Sequence, residues 1–117
     1  YAEVLKNRIS DPLQLTNTWF GTEAGIKKPQ VPSFKYNNGN WIAEKSTDLS
    51  IHGGAGAIVS SPDDLIRFIN ALFANKLISQ ASLASMKTIV NEYGMGMFAN
   101  KYGSKKSYGH NGRIEEF

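Results

Sequence analysis

The sequence contains no cysteine among its 117 residues. Disulfide bonds and thiolate-ligated metal sites are therefore excluded, although the absence of cysteine does not identify a compartment. Long apolar runs are also missing, since the longest apolar-rich region, from Leu65 to Phe73, is interrupted by Arg67 and Asn70. A helix that crosses a bilayer needs about 18 or more consecutive apolar residues. The sequence therefore predicts no membrane-spanning helix.

Positive charge is in modest excess and is not concentrated in one place. The formal net charge is +3, and the densest basic runs are the pairs Lys27-Lys28 and Lys105-Lys106. Proteins that bind nucleic acids usually cluster their basic side chains on one face. The sequence therefore predicts no nucleic-acid partner.

The two ends of the sequence lack the features of natural termini. Tyr1, Leu5 and Ile9 recur at the spacing of one helix face, yet no capping residue precedes them. There is no initiator methionine and no signal peptide, and the sequence stops at "RIEEF" without a tail. We therefore expect the chain to be a piece of a longer protein.

The region after the initial helix is rich in turn-forming residues. Asp11-Pro12 predicts the end of that helix, because the residue before a proline is disfavoured in the helical conformation. Asn38-Gly39 predicts a hairpin turn between strands at residues 34–36 and 41–43. A long segment without structure is unusual inside a compact domain, so we expect this region to run over a larger body. Aromatic side chains would anchor it: Trp19, Phe20, Phe34, Tyr36 and Trp41.

The second half predicts two helices followed by two strands. Ser61 is a suitable N-cap, Pro62 suits the first helical position, and Asp63 and Asp64 favour the positive end of the helix dipole. A second, shorter helix follows Ser79, and "YGMGMFA" and "KKSYGHNG" predict two paired strands. The expected buried stripe of the first of these helices consists of Leu65, Phe68, Ile69 and Leu72.

His110 follows the last predicted strand, between two glycines, and is open to three interpretations: a catalytic residue, a metal ligand or a strand-end turn. The other histidine, His52, lies in "HGGAG", which is similar to an esterase oxyanion loop but lacks the G-x-S-x-G motif that such enzymes carry. A metal site would need a third ligand, and Asp48, Glu115 and Glu116 show no spacing such as H-E-x-x-H. We therefore predict no metal, and we interpret the glycine-rich segment as a turn.

Four strings, taken in order, resemble the serine β-lactamase and penicillin-binding-protein superfamily, which includes class C β-lactamases and D-alanyl-D-alanine carboxypeptidase-like serine hydrolases. "PLQL" at Pro12 to Leu15 resembles the family's "PLGM", and "GGAGAIVSSPDDLIRFINALF" resembles its glycine-rich turn and following helix. "YGMGMF" is similar to "YGLGW", and "YGHNG" is similar to the third active-site motif. The resemblance covers nearly the whole chain. It implies an α+β fold, with helices and a short antiparallel sheet as part of the β-lactamase/transpeptidase-like fold.

The resemblance also implies a chemistry with three motifs. A serine in S-x-x-K forms an acyl-enzyme, Y-x-N or S-D-N supplies a base, and K-T-G or H-x-G lies on a strand that lines the pocket. The third motif falls on His110, Asn111 and Gly112. His110 would donate a hydrogen bond to a substrate carboxylate or to the second motif, with a charge that depends on pH near neutrality. Gly112 would let the substrate backbone lie against the strand edge, and the Arg113 N–H would be an oxyanion-hole donor.

The sequence departs from the family pattern at its start. In the family S-x-x-K and Y-x-N precede "PLGM", so both motifs would lie before Tyr1, and no serine in the chain satisfies S-x-x-K. Tyr36-Asn37-Asn38 spells Y-x-N, but it follows "PLQL" and overlaps the predicted hairpin turn. We therefore expect residues 1–117 to form a partial β-lactamase-related domain that lacks the first two motifs, the final strands and the last helix. No catalytic residue is predicted in this chain.

The resemblance thus implies a portion of a serine hydrolase that acts on amide or ester bonds of a β-lactam, a D-amino-acid peptide or an ester. No cofactor is expected, and the partner of the complete protein would be a small-molecule or peptide substrate in a periplasmic or extracellular setting. The isolated chain is expected to be inactive and to self-associate. The alternative is a non-catalytic binding or interaction module derived from the same fold. An S-x-x-K motif in the reading frame upstream of Tyr1 would distinguish the two.

Overall fold

The computed structural model describes residues 1–21, 31–44 and 48–113. Within these ranges, short helices α1 (Ala2–Leu5) and α2 (Asp11–Leu13) flank a π-helical segment (Lys6–Ser10), and two longer helices follow later, α3 (Pro62–Phe73) and α4 (Gln80–Met86). The strands form three separate antiparallel pairs. These pairs are β1 (Trp19–Phe20) with β4 (Ile58–Val59), β2 (Phe34–Asn37) with β3 (Asn40–Ala43), and β5 (Phe98–Tyr102) with β6 (Lys105–Gly109). The predicted α+β class is confirmed.

The first helix does not end at Asp11-Pro12, so that prediction was wrong. The helical backbone continues to Leu13 and ends at Gln14, which adopts the left-handed conformation with φ 54°. A proline ring inside an α-helix clashes with the carbonyl four residues earlier. Here the preceding turn is π-helical, and Pro12 stands in the first turn of α2, a position at which proline is tolerated.

The predicted hairpin at Asn38-Gly39 is confirmed. Asn37 pairs with Asn40, and the two turn residues both have positive φ, 48° and 83°. This is the signature of a type I′ turn, whose twist matches that of the flanking strands. The expected anchoring is wrong for this hairpin, because Phe34, Tyr36 and Trp41 remain 43–70% exposed. Tyr36 and Trp41 instead pack against each other across the strands, with ring centroids 5.0 Å apart.

The core of the second half lies between the two longer helices and the last hairpin. Leu72, Leu83 and Met97 are buried in one cluster. The predicted stripe of α3 is only partly covered, because Leu65 is 55% and Ile69 37% exposed. Partly buried side chains pack around the cluster: Phe68, Phe73, Leu77, Ile78, Met86 and Tyr108.

Asp64 is the most deeply buried polar or charged residue among those that the structure describes, with 2% of its surface exposed. Its Oδ2 accepts the backbone N–H of Asn17 at 2.7 Å and the Thr18 hydroxyl at 2.9 Å. Because that hydroxyl has one hydrogen, Ser60 donates the 2.8 Å hydrogen bond that joins its Oγ to Thr18 Oγ1. Ser61 accepts the Asp64 N–H as the predicted N-cap. The sequence predicted for Asp64 only a favourable interaction with the helix dipole. In the structure its hydrogen bonds also join the start of α3 to the segment before β1.

The β5–β6 hairpin is confirmed, although "YGMGMFA" forms a regular strand only from Phe98 onward. Five residue pairs run from Phe98↔Gly109 to Tyr102↔Lys105, and they place Lys101 directly opposite Lys106. Gly103, which follows β5, has φ 61° and so occupies a turn position that suits glycine. Among residues 1–21, 31–44 and 48–113, no helix is long and apolar enough to cross a membrane.

The buried Asp64 carboxylate predicts a large stability difference between adjacent positions. Asp64→Ala removes the acceptor of two part-buried donors, each worth about 1.5–3 kcal/mol when the acceptor is charged, so we expect the free energy of unfolding to fall by about 3 kcal/mol. Asp63→Ala, at an exposed position of the same turn, should cost less than about 1 kcal/mol. Urea denaturation followed by circular dichroism measures both. Equal losses would show that the Asp64 hydrogen bonds do not hold this junction.

Candidate substrate-binding site

His110 stands directly after β6, at the end of the hairpin opposite the turn. The last β5–β6 pair, Phe98↔Gly109, fixes where the strand ends, and the imidazole of His110 is exposed there. The strand register therefore brings His110 close to the start of β5 rather than to the hairpin tip. All further contacts of the ring follow from this placement.

Both ring nitrogens of His110 are engaged in hydrogen bonds. Nε2 lies 2.8 Å from the hydroxyl oxygen of Tyr93, and Nδ1 contacts the backbone carbonyl oxygen of Asn111. These two bonds fix the rotation of the ring about its bond to Cβ. In this arrangement neither nitrogen is left for a ligand.

Two aromatic rings contact the exposed imidazole, and we call Tyr93, Phe98 and His110 the aromatic cluster. Phe98 stacks on His110 with centroids 5.0 Å apart and an interplanar angle of 26°. Tyr93 meets His110 edge-on at 5.8 Å and 84°, and it meets Phe98 at 4.9 Å and 73°. Offset-stacked and edge-to-face pairs of this kind contribute about 0.5–1.5 kcal/mol each beyond the area that they bury. The cluster therefore holds the imidazole plane as well as its hydrogen bonds.

A tight turn before β5 positions Tyr93. Val90 and Tyr93 exchange two backbone hydrogen bonds of 3.0 and 3.2 Å, and the two residues between them, Asn91 and Glu92, have positive φ of 51° and 71°. Asparagine tolerates the left-handed region, but glutamate seldom adopts it. The turn is for this reason hard to predict from the sequence. Because the turn was not predicted, the contact between Tyr93 and His110 was missed as well.

Gly94 completes the placement of Tyr93. Its N–H donates to the Met97 carbonyl at 2.8 Å. A Cβ at this position would come within 2.3 Å of the Met86 carbonyl oxygen, so no other residue fits without movement of the backbone after α4. The glycine in "YGMG" is thus required by a close backbone approach.

The other three predicted site residues, Asn111, Gly112 and Arg113, continue from His110 as an exposed segment without regular structure. At Gly112 a Cβ would find no atom within 4 Å, so the space beside this backbone is open. The four predicted site residues, 110–113, lie near one another because they are consecutive in the sequence. The two hydrogen-bond partners of the His110 ring, Tyr93 and Asn111, both come from the second half of the chain.

An open apolar groove of about 510 Å³ runs between α3 and the last hairpin, and His110 lies in its wall. The exposed part of the α3 stripe, including Leu65 and Ile69, forms one side. The opposite side comes from the segment before β5 and from β6. The full lining comprises Leu65, Ile66, Phe68, Ile69, Leu72, Phe73, Met86, Gly96, Met97, Tyr108, Gly109 and His110.

The competing motifs occupy ordinary structural positions. Tyr36-Asn37-Asn38 lies in the β2–β3 hairpin, with Asn38 in its turn, as expected for turn chemistry. His52 precedes a short 3-10 turn (Gly53–Ala55), and Gly54 packs so closely on the Tyr1 ring that a Cβ would lie 3.2 Å from it. Among the described residues, no three His, Cys, Asp or Glu side chains are grouped to hold a metal. Glu115 and Glu116 lie outside the described residues.

The helices and short antiparallel pairs define the chain as part of a β-lactamase/transpeptidase-like fold. The sequence model described as Beta-lactamase matches residues 1–117, and the chain therefore belongs to the Beta-lactamase family.

Three similar proteins illustrate the relationship. A D-stereospecific amidohydrolase from Streptomyces sp. superimposes with a TM-score of 0.82 and 30% identity, covering 98% of this chain and 37% of that structure. The D-amino acid amidase of Ochrobactrum anthropi SV3, complexed with D-phenylalanine, superimposes with a TM-score of 0.80 and 28% identity. The match covers 98% of this chain and 39% of that structure. The teichoic acid D-alanine hydrolase of Staphylococcus aureus is 28% identical over 102 residues, which are 87% of this chain and 25% of that protein. The chain thus spans about a quarter of the curated relative's length.

Proposed function

We propose that this chain supplies the substrate-binding strand of a serine hydrolase that cleaves amide bonds. The observation that carries the proposal is the position of His110, which follows β6 in the third-motif string "YGHNG" and stands in the wall of an apolar groove. A residue held at a strand end beside a groove can contact a ligand that lies along the strand. The family match supports this position for the third motif.

The four consecutive site residues have separate tasks in this proposal. His110 sets one wall of the substrate pocket, and Asn111 continues that wall. Gly112 admits the substrate backbone, for which the open space beside it leaves room. The N–H of Arg113 stabilises the oxyanion of the acyl-transfer transition state.

D-Amino-acid compounds are the substrate class that we favour. The similar proteins are named a D-stereospecific amidohydrolase, a D-amino acid amidase and a D-alanine hydrolase. All three names concern D-amino acids or D-stereospecific hydrolysis. β-Lactams, D-amino-acid peptides and esters remain the wider class within which an assay should begin.

The 117-residue chain should be inactive by itself, because no serine in it lies in S-x-x-K. Purified chain should neither hydrolyse nitrocefin or p-nitrophenyl esters nor become labelled by fluorescent penicillin. In-gel fluorescence and mass spectrometry measure labelling, and a penicillin-binding protein serves as the positive control. A penicilloyl adduct mapped to a serine of this chain would contradict the proposal.

His110 is tested in the product of the reading frame that contains this chain together with S-x-x-K. His110→Ala should lower kcat/KM for a D-amino-acid amide by more than about tenfold, which is about 1.4 kcal/mol of transition-state stabilisation. His52→Ala, at the other histidine, should leave kcat/KM within about twofold, a difference below about 0.5 kcal/mol. Circular dichroism verifies that both variants fold. Unchanged kinetics for His110→Ala would assign His110 a structural role only.

A second proposal concerns association between copies of this chain. The accessible surface is 8971 Å² for 12.9 kDa, about 2,700 Å² above the roughly 6,300 Å² of a compact monomer of this mass. The radius of gyration is 16.4 Å, against about 13 Å for a compact domain of this length. The surplus surface is comparable to the area that obligate interfaces bury, about 2,000 Å² or more. We propose that, in the isolated 117-residue chain, a second copy covers the apolar groove.

Sedimentation velocity over a concentration series tests this association, and we expect a species heavier than the monomer that dissociates on dilution. Leu65→Glu places a charge in the groove and should shift the population to monomer, because an unpaired charge in a buried interface is costly. Val4→Glu is the matched control, since Val4 is also an exposed apolar residue of a helix, 63% exposed and outside the groove. A single monomer at every concentration, or equal effects of both variants, would refute a groove-mediated dimer.

A further inference from the structure

The two hydrogen bonds of His110 determine which of its nitrogens carries the proton. The partner of Nδ1 is the Asn111 carbonyl oxygen, which can only accept a hydrogen bond. Nδ1 must therefore be protonated. In a neutral imidazole the other nitrogen, Nε2, is then an acceptor.

The partner of Nε2 is consequently a donor. Tyr93 Oη lies 2.8 Å away, and its hydroxyl hydrogen points at Nε2. We propose that Tyr93 is a positioning residue: its hydroxyl donates to Nε2 of the Nδ1–H tautomer, which the Asn111 carbonyl selects, and so fixes the plane of the ring. The assignment of Tyr93 goes beyond the third motif, because Tyr93 lies 17 residues before His110.

The surroundings of Tyr93 keep its hydroxyl in place. The Val90–Tyr93 turn fixes its backbone, and the backbone bridge Tyr93↔Phe98 joins it to the start of β5. Its ring packs edge-on against Phe98, which stacks on the imidazole. A rotation of the Tyr93 side chain about its Cα–Cβ bond would therefore break ring packing together with the hydrogen bond. Such doubly restrained side chains are suited to positioning another group.

The tautomer changes what His110 can offer a substrate. The sequence predicted that His110 donates a hydrogen bond to a substrate carboxylate, but its one N–H in the neutral ring is engaged by the Asn111 carbonyl. Direct donation would require loss of that bond. In the resting arrangement His110 therefore contributes an oriented ring to the groove wall. This consequence rests on the proposed function, whereas the tautomer itself does not.

Side-chain ¹⁵N NMR of the 117-residue chain tests the proposal without any assay of hydrolysis. Long-range ¹H–¹⁵N correlation spectra distinguish a protonated from an unprotonated ring nitrogen, and the two histidines are assigned by the loss of one set of signals in His52→Gln. At a pH where His110 is neutral, we expect Nδ1 protonated and Nε2 unprotonated. Tyr93→Phe keeps the ring and removes the donor. The Nδ1–H tautomer should be retained, because the Asn111 carbonyl still accepts from Nδ1, but the Nε2 resonance should shift because Nε2 loses its donor.

Tyr102→Phe is the matched control, since Tyr102 is on the same hairpin, is 83% exposed and should leave the His110 signals unchanged. A wild-type spectrum with Nε2 protonated overturns the proposal even if Tyr93→Phe does not fold. An Nε2 resonance that is unchanged in folded Tyr93→Phe overturns the role of Tyr93. Failure of the proposed hydrolase would be seen instead as absent activity in the longer protein, with these spectra unaffected.

Discussion

The buried carboxylate of Asp64 is the constraint on which the arrangement of this chain depends. A buried charge is tolerated only where hydrogen bonds replace the water that it loses, and here the donors come from Asn17 and Thr18, 46–47 residues earlier. Satisfying Asp64 therefore forces the chain before β1 to meet the first turn of α3. The β1–β4 pair lies immediately beside this junction. Because α3 carries Leu72 of the core and one wall of the groove, the junction also sets where the last hairpin, and His110 with it, packs.

Local signals were predicted well from the sequence, because their physical causes lie within a few residues. The Ser61 N-cap, the Asn38-Gly39 turn and the pairing of the last two strands are each determined by short-range backbone chemistry. Asp64 was misassigned because an aspartate in the first turn of a helix has a sufficient local explanation in the dipole. Only the long-range approach of Thr18 reveals its second role. The burial of Leu65 and Ile69 was overestimated for a similar reason, since periodicity identifies the apolar face but not what covers it.

The candidate site shows the same difference between local features, which the sequence predicts, and long-range contacts, which it does not. The third-motif string pointed to His110, Asn111, Gly112 and Arg113, and the strand register places the first of them at the groove. Tyr93 could not be inferred, because its hydroxyl reaches His110 only through a turn with Glu92 at φ 71°, a conformation that glutamate seldom adopts. The aromatic cluster exists because β5 and β6 bring Phe98 opposite Gly109.

The facing lysines of the last hairpin also affect how copies of this chain can meet. Lys101 and Lys106 lie on one face and directly opposite each other, an arrangement of like charges that costs stability in an isolated hairpin. Charged residues on exposed strands act as gatekeepers, because an added strand would have to bury or crowd them. Fibrillar growth by strand addition is thereby disfavoured near the hairpin tip, while the apolar groove at its other end carries no such protection. The charge pair thus leaves the groove, rather than the strand edge near the hairpin tip, as the surface for the proposed association between copies.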